Sequence, residues 1–362
     1  MKDKLIILLL STLSLLIYSC HNATEPPPVE EKSLLTGKIA FISTSSGKSV
    51  MYSINPDGTE LKQINNTVYS GTLRWSPDGK QIAFVAPEPF SYYGAIYIMN
   101  ADGSNVHLIS TVPEKLARGF GPEWSPDGSK IAFTHNVIVD PISVDDNVIV
   151  DLSNGNTLEI NNNSYIIRDI IPKWSPDGKK IIFSSNRDYY TETNYAKTEL
   201  YIMDSNGKNS KRLTQYGAIE YYLWYPSDQS IIFSVHQNSR DVTTNGIGRV
   251  DTAGNLLWFN DMPGNIRFGK LSNDGKRLAF SSSTGIIQIL DIQSKSIQKV
   301  IVNSVSDFRY YVVDWSIDDK ELLVIATSKY SSSGYLEMVK ISNGIVKRLL
   351  DNDKITSADW HK

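Results

Sequence analysis

One spacing governs what this chain can become. Trp75-Ser-Pro-Asp-Gly-Lys80 recurs at Trp124 and Trp174 and, in degraded form, at Trp224, Leu271 and Trp315. Nine positions after each start stands an apolar residue: Phe84, Phe133, Phe183, Phe233, Phe280 and Val324. A second module follows, as Tyr97-Ile-Met-Asn-Ala-Asp-Gly103 and Tyr201-Ile-Met-Asp-Ser-Asn-Gly207, with looser copies near Asn154, Asp251, Asp291 and Asn343. A repeat of about 40–50 residues marks an architecture in which each unit buries its apolar face by stacking on its neighbours.

Each unit reads as four short strands. The Ile-Ala-Phe and Leu-Tyr-Ile-Met runs are β-rich and bounded by turn residues. Pro-Asp-Gly makes a tight turn because Pro fixes φ and Gly accepts a positive one. Asp-Gly and Asn-Gly serve the second module in the same way. Trp360 starts a seventh unit two residues before the end of the sequence. The strand it needs lies at the other end, where Lys38-Ile-Ala-Phe-Ile-Ser43 matches Lys130-Ile-Ala-Phe133. A split unit makes sense if the array closes into a ring. The expected fold is therefore all-β: a seven-bladed propeller of four-stranded blades over residues 37–362, its last blade completed by N- and C-terminal strands.

These motifs resemble the propeller repeats of the TolB family, which also occur in prolyl oligopeptidase-type propellers and oligogalacturonate lyases. The resemblance implies the propeller fold and favours a protein partner. It departs from TolB in blade count, seven against six, and leaves no space for TolB's separate N-terminal α/β domain. No Gly-x-Ser-x-Gly elbow, His-Glu-x-x-His or Gly-rich phosphate loop is present. The metal-binding histidine cluster of the lyases does not map onto this chain.

The N-terminus reads as an export signal. A mildly basic head, Met1–Lys4, precedes an apolar run from Leu5 to Tyr18. That run is shorter than the roughly 20 residues needed to span a bilayer. Ile17-Tyr-Ser-Cys20 resembles a bacterial lipobox, which implies cleavage at Cys20 and its lipidation. Cys20 is the only cysteine, so no intramolecular disulfide forms. Residues 20–36, with Pro26-Pro27-Pro28, read as a semi-rigid tether. Absence of Asp after Cys20 points by the same resemblance to an outer-membrane anchor facing the periplasm. Removing residues 1–19 leaves 34 basic residues against 38 acidic ones, without the positive surplus of a nucleic-acid binder.

Every turn between the first two strands of a blade, and between the last two, is short and lies on one face. The variable connections lie on the other, where binding residues usually gather. Tyr92, Tyr93, Tyr189 and Tyr190 concentrate there, offering apolar area with a polar tip. Aligned on the repeat tryptophans, Arg118, Arg168, Arg309 and Lys354 stand six positions earlier, with Arg267 offset. These five are expected at the tunnel rim, either binding carboxylate or phosphate or forming salt bridges to acids such as Asp169, Asp188 and Asp307. His135 and His236 follow the second strand of their blades on the same face. Isolated histidines are the favoured reading over metal ligands, and neither a metal nor a cofactor is expected.

The repeat tryptophans read as packing between blades rather than ligand contacts, and the repeat aspartates as turn formers rather than calcium ligands. The expected function is a non-catalytic, lipid-anchored envelope module that binds a protein or anionic glycan on its long-loop face. An enzyme acting on acidic polysaccharide is the alternative, and would need convergent acid–base groups or a metal at the tunnel mouth.

Overall fold

The structure, a computed structural model of the whole chain, describes residues 34–65, 72–87, 94–109, 117–139, 142–160, 167–189, 197–236, 245–261, 266–282, 285–300, 308–328, 330–331, 333–351 and 354–362. Leu34–Lys362 forms one compact unit. Met1–Ser33, with Cys20, lies outside the described residues.

The described residues form strands and turns. The first three strands, β1 (Lys38–Ser43), β2 (Val50–Ile54) and β3 (Lys62–Asn65), belong to the last blade. Blade I is β4 (Leu73–Trp75), β5 (Gln81–Pro87), β6 (Gly94–Asn100) and β7 (His107–Leu108). Blade II is β8 (Ala117–Trp124), β9 (Lys130–Val139), β10 (Ile142–Asp151) and β11 (Thr157–Glu159). Blade III is β12 (Asp169–Trp174), β13 (Lys180–Ser185), β14 (Glu199–Asp204) and β15 (Lys211–Arg212). Blade IV is β16 (Ile219–Tyr225), β17 (Ser230–Val235), β18 (Gly246–Val250) and β19 (Leu256–Asp261). Blade V is β20 (Ile266–Leu271), β21 (Arg277–Ser282), β22 (Ile287–Asp291) and β23 (Ile297–Val300). Blade VI is β24 (Phe308–Trp315), β25 (Glu321–Ser328), β26 (Gly334–Lys340) and β27 (Val346–Arg348). Blade VII joins β28 (Ile355–His361) to β1, β2 and β3.

The seven-bladed ring closes as the split repeat requires. β1 and β28 pair antiparallel, with Ile39 opposite Trp360 and Phe41 opposite Ala358. Each innermost strand touches the next around the ring, β4 to β8, β12, β16, β20, β24, β28 and back to β4. One further pair, Gly334 with Ile355, links blades VI and VII at their edges.

Cores lie between blades. Ala40, Ile42 and Met51 of blade VII pack with Trp75, Ile82 and Phe84 of blade I. Ile39, Phe41 and Trp360 pack on the other side against Val313, Leu323 and Ile325 of blade VI. The phenylalanines nine residues after the repeat start are 0–1% exposed. Each such burial is worth about 1.5–3 kcal/mol.

The turn reading of the repeat aspartates holds. In the first turn, Asp78 accepts from the Ser76 hydroxyl (2.7 Å) and the Lys80 backbone N–H (3.1 Å), while Ser76 Oγ accepts from the Gln81 N–H (2.9 Å). The same set recurs at Asp127, Asp177 and Asp274. The packing reading of the tryptophans also holds, since all six are at most 9% exposed.

Leu34–Thr36, expected as the end of the tether, lies on the propeller. The Leu34 N–H donates to Asp318 Oδ2 (2.9 Å), and the Thr36 carbonyl accepts from the Trp360 indole (2.9 Å).

Candidate functional site

Side chains alternate along a strand, so the residue before each repeat start, a tryptophan in every blade but V, points away from the core that the starting side chain fills. Those residues, from blade I to blade VII, are Arg74, Glu123, Lys173, Leu223, Lys270, Asp314 and Asp359. Six of the seven are charged, and all stand on innermost strands one residue from the short-turn face. They form a ring in the tunnel, at the end opposite the long loops.

The backbone of this ring is fixed by the tryptophans themselves. The indole N–H of Trp124 donates to the Arg74 carbonyl (3.1 Å), Trp174 to Glu123 (3.2 Å) and Trp224 to Lys173 (3.1 Å). Trp315 donates to Lys270 (2.8 Å) and Trp75 to Asp359 (3.3 Å). Each bond joins one blade to the next, so the packing residue of one blade holds the tunnel residue of its neighbour. Leu271 breaks the series, and no indole reaches the Leu223 carbonyl.

Glu123 bridges two cations, with Arg74 Nε at 3.8 Å and Lys173 Nζ at 4.0 Å. Lys362 Nζ reaches Asp314 Oδ1 (3.1 Å) and Asn273 Oδ1 (2.9 Å). Asp359 Oδ2 accepts the Trp75 backbone N–H (2.9 Å). Tyr221, two positions before Leu223, donates its hydroxyl to the Gly269 carbonyl and so ties blade IV to the strand carrying Lys270.

These groups feel one another across the tunnel. Burial opposes the charge on Arg74, but Asp359 and then Glu123 outweigh it and hold the guanidinium above its usual range. Glu123 supports the charge on Lys173, but burial together with Arg74 and Lys270 outweighs it and pulls the ammonium below the usual lysine range. The side chains are enclosed by protein yet not dry: Arg74 and Glu123 each keep 31% of their surface, and Lys173 23%. A fixed, wet, mixed-sign ring of this kind can recognise a charged group entering the tunnel.

The residues expected on the opposite face are placed as follows. Arg168 is exposed and its Nε donates to the buried Asp145 (2.5 Å). The acids proposed as its partners are engaged elsewhere, Asp169 with Arg187 (2.6 Å) and Asp188 with Arg212 (2.7 Å). Arg309 is half-buried on β24, and Lys354 is exposed with its carbonyl accepting the Thr44 N–H (2.9 Å). Arg118 and Arg267 stand on β8 and β20, but their side chains lie outside the described residues, as do Tyr92, Tyr93, Tyr190, Asp307 and Cys20.

Tyr189 is committed to the fold. Its hydroxyl donates to Glu199 (2.8 Å), a fully buried carboxylate that also accepts from Thr214 (2.6 Å) and the N–H groups of Tyr216 (3.0 Å) and Gly217 (2.7 Å). His135 is 3% exposed, and burial alone pushes its imidazole down to about 4. Its Nε2 has no hydrogen-bond partner among the described residues. His236 is half-buried, with Nδ1 3.3 Å from Asn245 Oδ1. Among the described residues, no three His, Cys, Asp or Glu side chains are grouped to hold a metal ion.

The tunnel ring escaped the sequence reading, although its signal was present. The alignment that exposed basic residues six positions before the tryptophans also shows Arg-Glu-Lys-Leu-Lys-Asp-Asp immediately before the start of each unit.

Comparison with known proteins gives the same scaffold. The chain is 39% identical over 80 residues to the Tol-Pal system protein TolB of Alcanivorax borkumensis, a match covering 21% of this chain and 16% of that protein. Matches to curated relatives span well under half of those proteins' lengths. The structure of TolB from Acinetobacter baumannii superposes with a TM-score of 0.52 at 19% identity, covering 90% of this chain and 67% of that one. An oligogalacturonate lyase from Vibrio parahaemolyticus gives 0.62 at 14% identity, covering 91% and 88%. Such identities speak for the fold alone. The model of the TolB beta propeller domain matches residues 91–361, which is most of the ring, and the chain belongs to that family.

Proposed function

We propose that this protein is a non-catalytic binding module of a bacterial cell envelope. Its propeller engages an envelope protein or an anionic glycan through charged groups presented by the rigid ring. The observation that carries this reading is the convergence of charged side chains from six blades in the tunnel, five of them on a backbone carbonyl held by a neighbouring blade's indole. Preorganised charge favours selective binding because little conformational entropy is lost when a ligand arrives.

The lipobox-like Ile17-Tyr-Ser-Cys20 and the apolar run before it support export and lipid anchoring. Membership of the TolB propeller family fits an envelope location. The anchor is assigned to the outer membrane, with the propeller in the periplasm.

Capture of partners from detergent-solubilised envelope by the full chain tests this. Wild type is expected to retain a specific protein or acidic glycan, and the double charge reversal Lys173→Glu with Lys270→Glu to lose it. Turnover of an acidic polysaccharide by the purified protein would instead establish the enzyme alternative.

A further inference from the structure

The tunnel ring has a gap in its charge pattern. From blade I to blade V it reads cation, anion, cation, apolar, cation: Arg74, Glu123, Lys173, Leu223, Lys270. Glu123 sits between Arg74 and Lys173 and approaches both. Leu223 occupies the corresponding place between Lys173 and Lys270, and it carries no charge. On its far side Lys270 is followed by Asp314, which already holds Lys362 at 3.1 Å. Among the described residues, Lys270 has no carboxylate within ion-pair distance.

We propose that this gap is a binding site for a single carboxylate group, which bridges Lys173 and Lys270 over Leu223 as Glu123 bridges Arg74 and Lys173. The inference deepens the binding reading given above and rests on it. The charge count sets the class of ligand. Arg74, Lys173, Lys270 and Lys362 face Glu123, Asp314 and Asp359, leaving one positive charge in excess. One monoanion balances the ring, whereas a phosphate dianion overshoots it and meets the Glu123 carboxylate nearby. The backbone on both sides of the gap is fixed, by the Trp224 indole on the Lys173 carbonyl and the Trp315 indole on the Lys270 carbonyl. The main chain that carries the two lysines on either side of Leu223 is therefore a fixed frame, and Tyr221 braces the strand that bears Lys270. Leu223 packs beside Leu271 on the core between blades IV and V and is only partly buried there. The surface it leaves toward the gap is apolar, which favours a carboxylate attached to an organic body over a small hydrated inorganic anion.

The test uses the purified full chain in detergent, with sodium acetate, sodium chloride and sodium phosphate at equal ionic strength as probes. Acetate is expected to raise the thermal midpoint above that in chloride, since a ligand bound only by the folded state stabilises it. Lys270→Gln and Leu223→Glu should each abolish the acetate increment, the first by removing a binding cation and the second by filling the gap with the chain's own carboxylate. Lys80→Gln, on an exposed short turn, should keep it. Equal midpoints in acetate and chloride, or an increment retained by both ring variants, would overturn the proposal. Phosphate raises midpoints generally, by exclusion from the protein surface. A phosphate increment larger than that of acetate and lost in Lys270→Gln would therefore also overturn it, by showing a site for a dianion. Loss of the acetate response alongside partner capture that still depends on Lys173 and Lys270 would remove the carboxylate assignment and leave the binding reading standing.

Discussion

The backbone N–H of Trp75 donates to the carboxylate of Asp359 at 2.9 Å, across 284 positions of sequence. Asp359 is 8% exposed, and its own carbonyl accepts the Trp75 indole N–H. One residue of the closing strand thus satisfies two donors of the first blade. Asp359→Ala should leave the Trp75 N–H buried and unpaired, at a cost of about 1–3 kcal/mol. Asp359→Asn keeps an acceptor and should lose less. Urea unfolding of both variants checks this, and equal losses would show that the hydrogen bond contributes nothing beyond the charge.

His135 makes stability fall in acid. Its imidazole is held at about 4 by burial, against 6.5 for the free side chain. A depressed histidine means that the unfolded chain takes up the proton first. The neutral fold is therefore fully favoured above pH 6.5, and stability declines as pH drops from 6.5 toward 4, by roughly 3 kcal/mol at most. Asp146 stands opposite His135 in the β9–β10 ladder, so the comparison needs a variant. His135→Asn should flatten the decline between pH 6.5 and 4 in urea titrations. An unchanged pH profile would assign the acid limb to other groups.

Gly79 fits between a turn and a ring. Its φ is 68°, and a Cβ there would lie 2.1 Å from Nε2 of His361, whose ring neighbours Trp75. Gly79→Ala should cost about 1–2 kcal/mol for the left-handed backbone alone, and more for the contact. His361→Ala should recover the contact part and leave the backbone part. A double-mutant cycle measures the split, and full additivity would mean that the imidazole moves aside freely.

Two departures from the repeat belong together. Asn273 replaces the turn proline in blade V, and Asp319 replaces the turn glycine in blade VI at φ 57°. The Asp319 carboxylate accepts from the N–H groups of Asn273 (2.7 Å) and Asp274 (3.1 Å). Asp319→Gly relieves the backbone but removes both acceptors, with a net loss of about 1–3 kcal/mol. Adding Asn273→Pro removes one of the orphaned donors and restores the usual turn. The double variant should therefore be more stable than the sum of the singles by about 1 kcal/mol or more. Additive losses in urea unfolding would show that the two substitutions arose without compensation.

The propeller was legible in the sequence because its signals repeat. Trp75, Trp124 and Trp174 announce the period, and the match of Lys38–Phe41 to Lys130–Phe133 implies the closure. Leu271 did not obscure blade V because Phe280 keeps its nine-residue distance. The site was less legible for a physical reason. A tunnel residue differs from blade to blade, so Arg74, Glu123 and Asp314 share a position without sharing a chemistry. Pairing is equally hidden: Arg168 stands one residue from Asp169, yet the structure couples it to Asp145 of the preceding blade. Burial of His135 depends on how blades I and II pack, which the local sequence around it does not display.

The indole hydrogen bonds have a consequence for how such a ring changes over time. Each tryptophan grips the main-chain oxygen of the residue it holds and is indifferent to what hangs from that residue's α-carbon. Lysine, glutamate, arginine and aspartate are accommodated by one geometry, so the lining of the passage can be rewritten blade by blade while the architecture around it stands still.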